Sequence, residues 1–378
     1  WQEKYLWFAH LCIIYAGMIR QNYLVLLLIF AFIFVFEKRK SFSVLLVAKA
    51  FLPLAFAFVL VSSFQYLHWW PQRGFSLHTL EFNENFFIHL VRQTFFLVQY
   101  MALFLAPLLC SFFLQNWRKK FLLFCALLAA TVNTFFFFLW NISFPYSRNI
   151  INSYGLGVRG GDVLYGTPTI VFTQQLSLFV SVVAGFLVGV FIYLIFEFIS
   201  QRFFQKPTAW NVFLFMNALI QSALIVSLKN FDRYYLVPFV FLLLLFIPFV
   251  QKMKIHAFSY FVLFMFASFS LLGTRGYLNE NRLKWEIAHE LVASGIEPKE
   301  IDAGYEWLGY HLYHQRDMDI LPYYDPSKPW YITELFPENT SEYVITHDAR
   351  VDGYEFLQQR TYYEFFHVRS LFLHKKSF

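Results

Sequence analysis

The sequence predicts an all-α polytopic membrane protein of about eight or nine spans, ending in a small extracytoplasmic α/β domain. Three observations predict it. Of the 378 residues, 58% are hydrophobic and 14% charged, whereas soluble domains average about 45–50% and about 25%. Phe alone accounts for 52 residues, and Phe inserts favourably into lipid. The charge is also uneven: residues 1–273 are poor in it, while residues 274–378 have the composition of a water-exposed domain.

A spanning helix needs about 20 mostly apolar residues. Stretches 44–62, 94–114, 121–140, 176–199, 210–228, 235–250 and 255–273 read as spans. Two shorter stretches, 5–18 and 22–36, precede them and are separated by Arg20-Gln21. These read as two short helices or one interrupted pair. Basic residues mark every second connection: Lys38-Arg39-Lys40, Arg118-Lys119-Lys120, Arg202 with Lys206, and Lys252 with Lys254. By the positive-inside rule these turns face the cytoplasm. The alternate connections, 63–93, 141–175 and 229–234, then lie outside together with everything after residue 273.

The same pattern excludes other classes. The net charge of +6 sits in short clusters between apolar runs, which orients a membrane protein and does not build a nucleic-acid surface. Cys12, Cys110 and Cys125 all fall inside apolar stretches, so neither a disulfide framework nor a metal-type spacing exists. The eleven His residues show no ligand spacing on one helix face and no HExxH. No cofactor is evident. The chain opens on Trp1 without a charged n-region and cleavage site, so no signal peptide is expected.

In the tail, Leu283, Ile287, Leu291 and Val292 recur at helical spacing, and Gly295 is placed to end that helix. A turn and a short strand are expected over 296–304. Segments 342–346 and 361–366 read as strands, with Asp352-Gly353 as a turn.

Four features carry candidate chemistry. The segment Lys229-Asn-Phe-Asp232-Arg233-Tyr234-Tyr235-Leu-Val-Pro238 opens a span with cations that can meet a lipid phosphate, Arg233 through two parallel hydrogen bonds. The bland reading is an interface anchor with aromatic-belt tyrosines. The outer loops carry Trp69-Trp70, Arg73, Glu81 and Glu84 in the first, and Arg148, Arg159, Gly160-Gly161 and Asp162 in the second. Polar residues inside spans (Lys49, Gln99, Asn133, Asn217 and Gln221) either mark a pathway or bond between helices. Ser181, Gly185 and Gly189 form a small-residue face for close packing, within the chain or between copies. Two sequons, Asn141-Ile-Ser143 and Asn339-Thr-Ser341, fall on the outer side, and Lys375-Lys376 resembles a retrieval signal that this topology places on the wrong side.

The layout resembles the membrane glycosyltransferases of the GT-C superfamily, specifically the glycosyltransferase family 39 group. That group includes protein O-mannosyltransferases and the lipid A aminoarabinose transferase. Three segments carry the resemblance: Tyr15-Ala-Gly-Met-Ile-Arg20-Gln21, the run Asp232-Arg233-Tyr234-Tyr235-Leu236-Val237-Pro238, and the stretch from Ala293 through Asp302 and Gly304 to Glu306-Trp307. The resemblance implies transfer of a sugar from a polyprenyl-phosphate carrier to a glycan, lipid or protein acceptor on the outer face. It implies that Arg233, with Arg20, faces the lipid-linked phosphate; Lys229 and Tyr234 are further lipid-phosphate candidates from the residues of the same segment. The family's catalytic acid lies after its first span, and here that segment is expected upstream of Trp1, so no catalytic residue is assigned. Some GT-C enzymes use a divalent metal, but no residue here points to one. The expected compartment is the bacterial inner membrane, or the endoplasmic reticulum in a eukaryote. A lipid or solute transporter and a non-catalytic scaffold are the competing classes. A transporter would show paired broken helices with midplane polar sites.

Overall fold

A computed structural model describes residues 11–14, 24–38, 43–66, 86–140, 151–152, 155–156, 164–168, 170–171, 173–200, 208–227, 235–312 and 328–377. The chain divides into two compact units. The first comprises Trp1–Leu127, Leu187–Asn230 and Tyr234–Ile255, the second Leu128–Phe186, Phe231–Arg233 and His256–Phe378.

The first unit is a helical bundle. It contains α1 (Leu24–Glu37), α2 (Val44–Tyr66), α3 (Phe86–Phe104), α4 (Ala106–Asn116), the start of α5 (Lys120–Trp140), the end of α6 (Gln174–Phe198), α7 (Ala209–Ser227) and α8 (Leu236–Val250). α7 packs on α8, α1 and α3, and α1 on α2. The span expected at 94–114 is built from two helices. Pro107 lies in the first turn of α4, where its missing N–H costs nothing but its ring prevents α3 from continuing unbroken. α3 also begins at Phe86, so the last part of the expected first outer loop is helical.

One end of this unit collects basic turns. Gln115 Nε2 donates to the carbonyl of Lys254. Lys119 Nζ lies 3.1 Å from Glu197 Oε1 on the last turns of α6. The turn after α4 therefore neighbours both the end of α6 and the turn after α8, and the turns after α4 and α8 are two of those that the Lys and Arg residues mark.

Among the described residues, five helices are long and apolar enough to cross a membrane: Phe86–Phe104, Lys120–Leu139, Gln174–Phe198, Trp210–Ser227 and Ala257–Ala293. Leu26–Val35, Val44–Leu60 and Leu236–Val250 are apolar but shorter. The multi-span helical class stands, with five full-length candidates where the sequence led to an expectation of about eight or nine.

The second unit is organised by α9 (Ala257–Ala293), a single helix of 37 residues. It runs unbroken through position 273, where the sequence suggested a change from span to tail. The helix expected around 283–292 is its last part. Gly295, at φ +94°, ends it. Gly295 N–H bonds to the Val292 carbonyl at 3.0 Å and Ile296 N–H to that of Leu291 at 3.2 Å, a pairing that needs the left-handed conformation glycine adopts freely.

Beyond it come a 3₁₀ turn (Pro298–Glu300), β3 (Ile301–Asp302), α10 (Tyr305–Leu312), α11 (Trp330–Leu335), β4 (Tyr343–Thr346), β5 (Tyr354–Glu364) and β6 (His367–Lys376). β1 (Ile151–Asn152) and β2 (Gly155–Leu156) form a small separate ladder. The main sheet has order β3-β4-β6-β5, with β3 parallel to β4 and the other pairs antiparallel. The two later strands expected from sequence are present, the second of them longer than expected. The turn at Asp352-Gly353 is also present, with Gly353 at φ +80°. β6 was not foreseen. It absorbs Lys375 and Lys376 into the ladder, where Lys376 N–H bonds to the Glu342 carbonyl at 2.8 Å. The core is Ile287 and Ala288 of α9 with Ile301, Trp307, Leu308, Tyr331, Ile332, Ile345, Leu371 and Leu373.

Part of the second long loop docks on this domain. Leu164 enters its core, Tyr165 bridges to Thr346 in parallel register, and Thr167 N–H donates to Asp348 Oδ1 at 3.2 Å. Leu156 fills the space beside Gly273, where an added Cβ would stand 2.3 Å from Leu156 Cδ1. The loop and the tail therefore share one side of any membrane that α9 crosses.

Candidate functional site

The residues singled out for lipid-phosphate binding and loop chemistry, Arg20, Lys229, Arg233, Tyr234, Glu81, Glu84, Arg159 and Asp162, lie outside the described residues. What is described is the frame next to them. Tyr235, two positions after Arg233, is fully buried at the start of α8. Its ring lies 4.9 Å from that of Tyr100, and its hydroxyl donates to Gln93 Oε1 at 3.2 Å. Phe104 continues the aromatic column to Phe239 at 5.3 Å. Pro238 falls in the first turn of α8, where no helical N–H is needed. Tyr235 is thereby tied to α3.

That tie brings in a residue the sequence reading missed. Arg92 precedes Gln93, is exposed, and stands 5.8 Å from the Phe96 ring. The expected span began at 94 and left Arg92 in a loop. The apolar run from Phe86 onward was the available signal. An exposed guanidinium on α3 and the N-terminal end of α8 are both suited to an anion.

Elsewhere the amides inside spans divide. Asn133 on α5 donates to Ser181 Oγ on α6 at 2.9 Å, an interhelical bond as expected. Asn217 bonds back to the Phe213 carbonyl of its own helix at 2.7 Å. Gln99 is buried with neither amide atom partnered among the described residues. The Gly185 and Gly189 face packs within the chain. A Cβ at Gly189 would stand 2.2 Å from the Cys125 carbonyl oxygen, and one at Gly185 would stand 2.6 Å from Asn133 Cβ.

The C-terminal domain holds a second polar cluster. Asp302 is fully buried between β3 and α10, accepting from Gly304 N–H at 3.0 Å and from the Tyr331 hydroxyl at 3.2 Å. Burial pushes its carboxyl up to about 6, against the pull of Gly304, Tyr331 and Lys284. Burial, then Asp302 itself, pushes Tyr331 well above the usual phenol value. Lys284 is 2% exposed and pairs with Glu306 Oε2 at 3.3 Å. Its position among Leu283, Ile287 and Leu291 was the signal, a lysine on a core-facing stripe. Glu280 is bonded by the Tyr362 hydroxyl at 3.1 Å and lies 3.3 Å from His347 Nε2. Asp302, Lys284 and Glu280 are buried, with Glu306 a third exposed, and their bonds join α9 to α10 and the sheet, so they read as structure. Asn339 of the second sequon is also buried, its amide donating to the Lys299 and Ile301 carbonyls at 2.9 and 3.2 Å. The other sequon asparagine, Asn141, lies outside the described residues. Among the described residues, no group of three or more His, Cys, Asp or Glu side chains is placed to hold a metal ion.

The chain matches no protein-family model, no curated protein and no solved structure.

Proposed function

We propose that this chain is a membrane glycosyltransferase that moves a sugar from a polyprenyl-phosphate carrier to an acceptor on the extracytoplasmic face. The observation that carries the reading is the buried Tyr235, held by Tyr100 and Gln93. Tyr235 follows Arg233 by two positions in the sequence, and its partner Gln93 follows the exposed Arg92. The resemblance to glycosyltransferase family 39 assigns the segment of Arg233 to the carrier phosphate.

The reaction has clear electrostatic needs. An acceptor hydroxyl attacks the anomeric carbon, the bond from that carbon to the phosphate oxygen breaks, and a carboxylate takes the hydroxyl proton. The departing polyprenyl phosphate gains charge, which fixed cations stabilise. Arg233, Lys229 and Arg20 supply that charge in this reading, with Arg92 as an addition. The isoprenoid tail reaches the site from the bilayer, which accounts for a catalyst built on spanning helices. The docking of Leu164 and Tyr165 on the C-terminal domain keeps the second loop with that domain, and the basic connections along the sequence support an extracytoplasmic placement for both.

A lipid or solute transporter is the second reading, favoured by Gln99, whose buried amide has no partner among the described residues. One experiment separates them. The full chain in vesicles is given a labelled polyprenyl-phosphate sugar, and both acceptor labelling and carrier movement between leaflets are followed. Arg233→Ala and Arg92→Ala should lower transfer by ~10²-fold, as loss of a charge-stabilising group does. Undiminished transfer in Arg233→Ala removes that residue from the site. Carrier movement without transfer replaces the enzyme by the transporter.

A further inference from the structure

The turn between β5 and β6 carries exposed aromatic side chains beside the apolar half of α9. β5 descends along α9 toward its apolar half. Asn279 Nδ2 donates to the Tyr363 carbonyl at 3.2 Å. One step further, Glu364 packs against Gly276, where a Cβ would stand 2.9 Å from Glu364 Cγ. At the turn, the Phe365 ring lies 5.6 Å from the ring of Phe269. Between Asn279 and Phe269 the hairpin has followed α9 for about 15 Å of its axis.

That stretch crosses the polar boundary of the helix. Arg275 is exposed and is the first charged residue of α9. Phe269 lies about 9 Å to its apolar side. Around and below it Phe261, Phe264 and Leu271 are 55%, 64% and 72% exposed, an apolar surface suited to hydrocarbon. The hairpin tip presents matching residues. Phe366 is 85% exposed, Tyr363 68% and Val368 58%. Tyr363 and Val368 are directly opposed across the ladder, so they share one face while Tyr362 and Glu364 are buried on the other.

The turn itself departs from ordinary hairpin chemistry. Phe365 has φ +50°, a left-handed conformation that favours Gly or Asn and costs other residues about 1–2 kcal/mol. A bulky aromatic stands where glycine would be easier, beside a second aromatic with almost no protein contact.

We propose that the β5–β6 turn is a membrane-insertion tip. Phe365, Phe366, Tyr363 and Val368 seat in the headgroup–acyl boundary of the leaflet from which α9 emerges and hold the sheet domain against the bilayer. The ligand is the lipid interface itself, where aromatic side chains are favoured. The surface continues the lipid-facing apolar surface of α9.

The test uses the full chain in lipid vesicles, with Cys12, Cys110 and Cys125 replaced by Ala. A nitroxide is attached at Phe366→Cys and, as a water-side control, at Asp352→Cys at the opposite end of β5. Oxygen collisions should exceed those of an aqueous nickel chelate at 366, with the order reversed at 352. Equal behaviour at the two sites overturns the proposal. Low access to both reagents at 366, with dipolar broadening, assigns the tip to contact between copies and also overturns it. Should the cysteine-free chain fail to fold, a benzoylphenylalanine at position 366 of the otherwise unaltered chain gives the same decision. Photo-adducts to lipid support the tip, and adducts to protein alone or none to lipid refute it.

Discussion

The phenolic O–H of Tyr235 donates to Gln93 Oε1 at 3.2 Å, and this bond ties the first turn of α8 to α3. Tyr235→Phe removes the bond and should cost about 1 kcal/mol. Tyr235→Ala also empties a buried ring site and should cost about 3–5 kcal/mol. Thermal denaturation in detergent measures both. A double-mutant cycle of Tyr235→Phe with Gln93→Leu should show a coupling energy, and strict additivity would dissolve the claimed link.

Gly189 faces backbone, not a yielding side chain. An added Cβ would lie 2.2 Å from the Cys125 carbonyl oxygen and 2.5 Å from Ala126 Cα. Gly189→Ala must therefore push α5 and α6 apart, with an expected loss of about 1–3 kcal/mol. Unchanged oligomeric state in the destabilised variant is the expected chromatographic result, because this face packs within the chain.

Asp302 gives a pH signature. Its folded-state value is about 6 against an ordinary 3.8, so the folded domain holds the proton more tightly than the unfolded one. This raised value contributes stability that is full below about pH 4 and is lost as the pH rises toward 6, worth about 3 kcal/mol in total. Asp302→Asn keeps an acceptor for Gly304 N–H and the Tyr331 hydroxyl and removes the titration. Melting followed by tryptophan fluorescence should show that this part of the slope between pH 4 and 6 disappears in the variant. An unaltered slope would place the titration elsewhere.

Lys284 and Glu306 should respond asymmetrically. Glu306→Gln leaves the buried ammonium of Lys284 without its ion pair and should destabilise by about 1–3 kcal/mol. Lys284→Met removes the charge and fills the same volume, so it should cost less. Chemical denaturation of both variants checks the order, and a larger loss for Lys284→Met would contradict it.

Much of this protein was legible along the chain. Lipid as solvent demands long apolar runs, so the helices α5, α6 and α7 fall within a few residues of their expected bounds. The basic turns cluster because Lys and Arg resist crossing the bilayer, and Lys119 and Lys254 are found in neighbouring turns as a result. Gly295 and Gly353 ended a helix and made a turn where their freedom at positive φ predicted it. The break at Leu105 was also written in Pro107, though the apolar run concealed it. The sheet was harder. β6 mixes His, Lys and Arg with apolar residues, and only pairing with β4 and β5 makes it a strand.

What the sequence by itself determined is the class: long apolar helices that fit a multi-pass membrane protein, followed by about a hundred residues of ordinary soluble composition. Those properties are sums over local composition, and composition needs no partner to act. Which residues meet was decided only in three dimensions. Lys284 reaches Glu306 and lies near Asp302, Phe365 lies on Phe269, and Leu164 enters a core assembled largely from residues more than a hundred positions later. Such contacts depend on where a 37-residue helix carries its neighbours, and no local pattern encodes that distance.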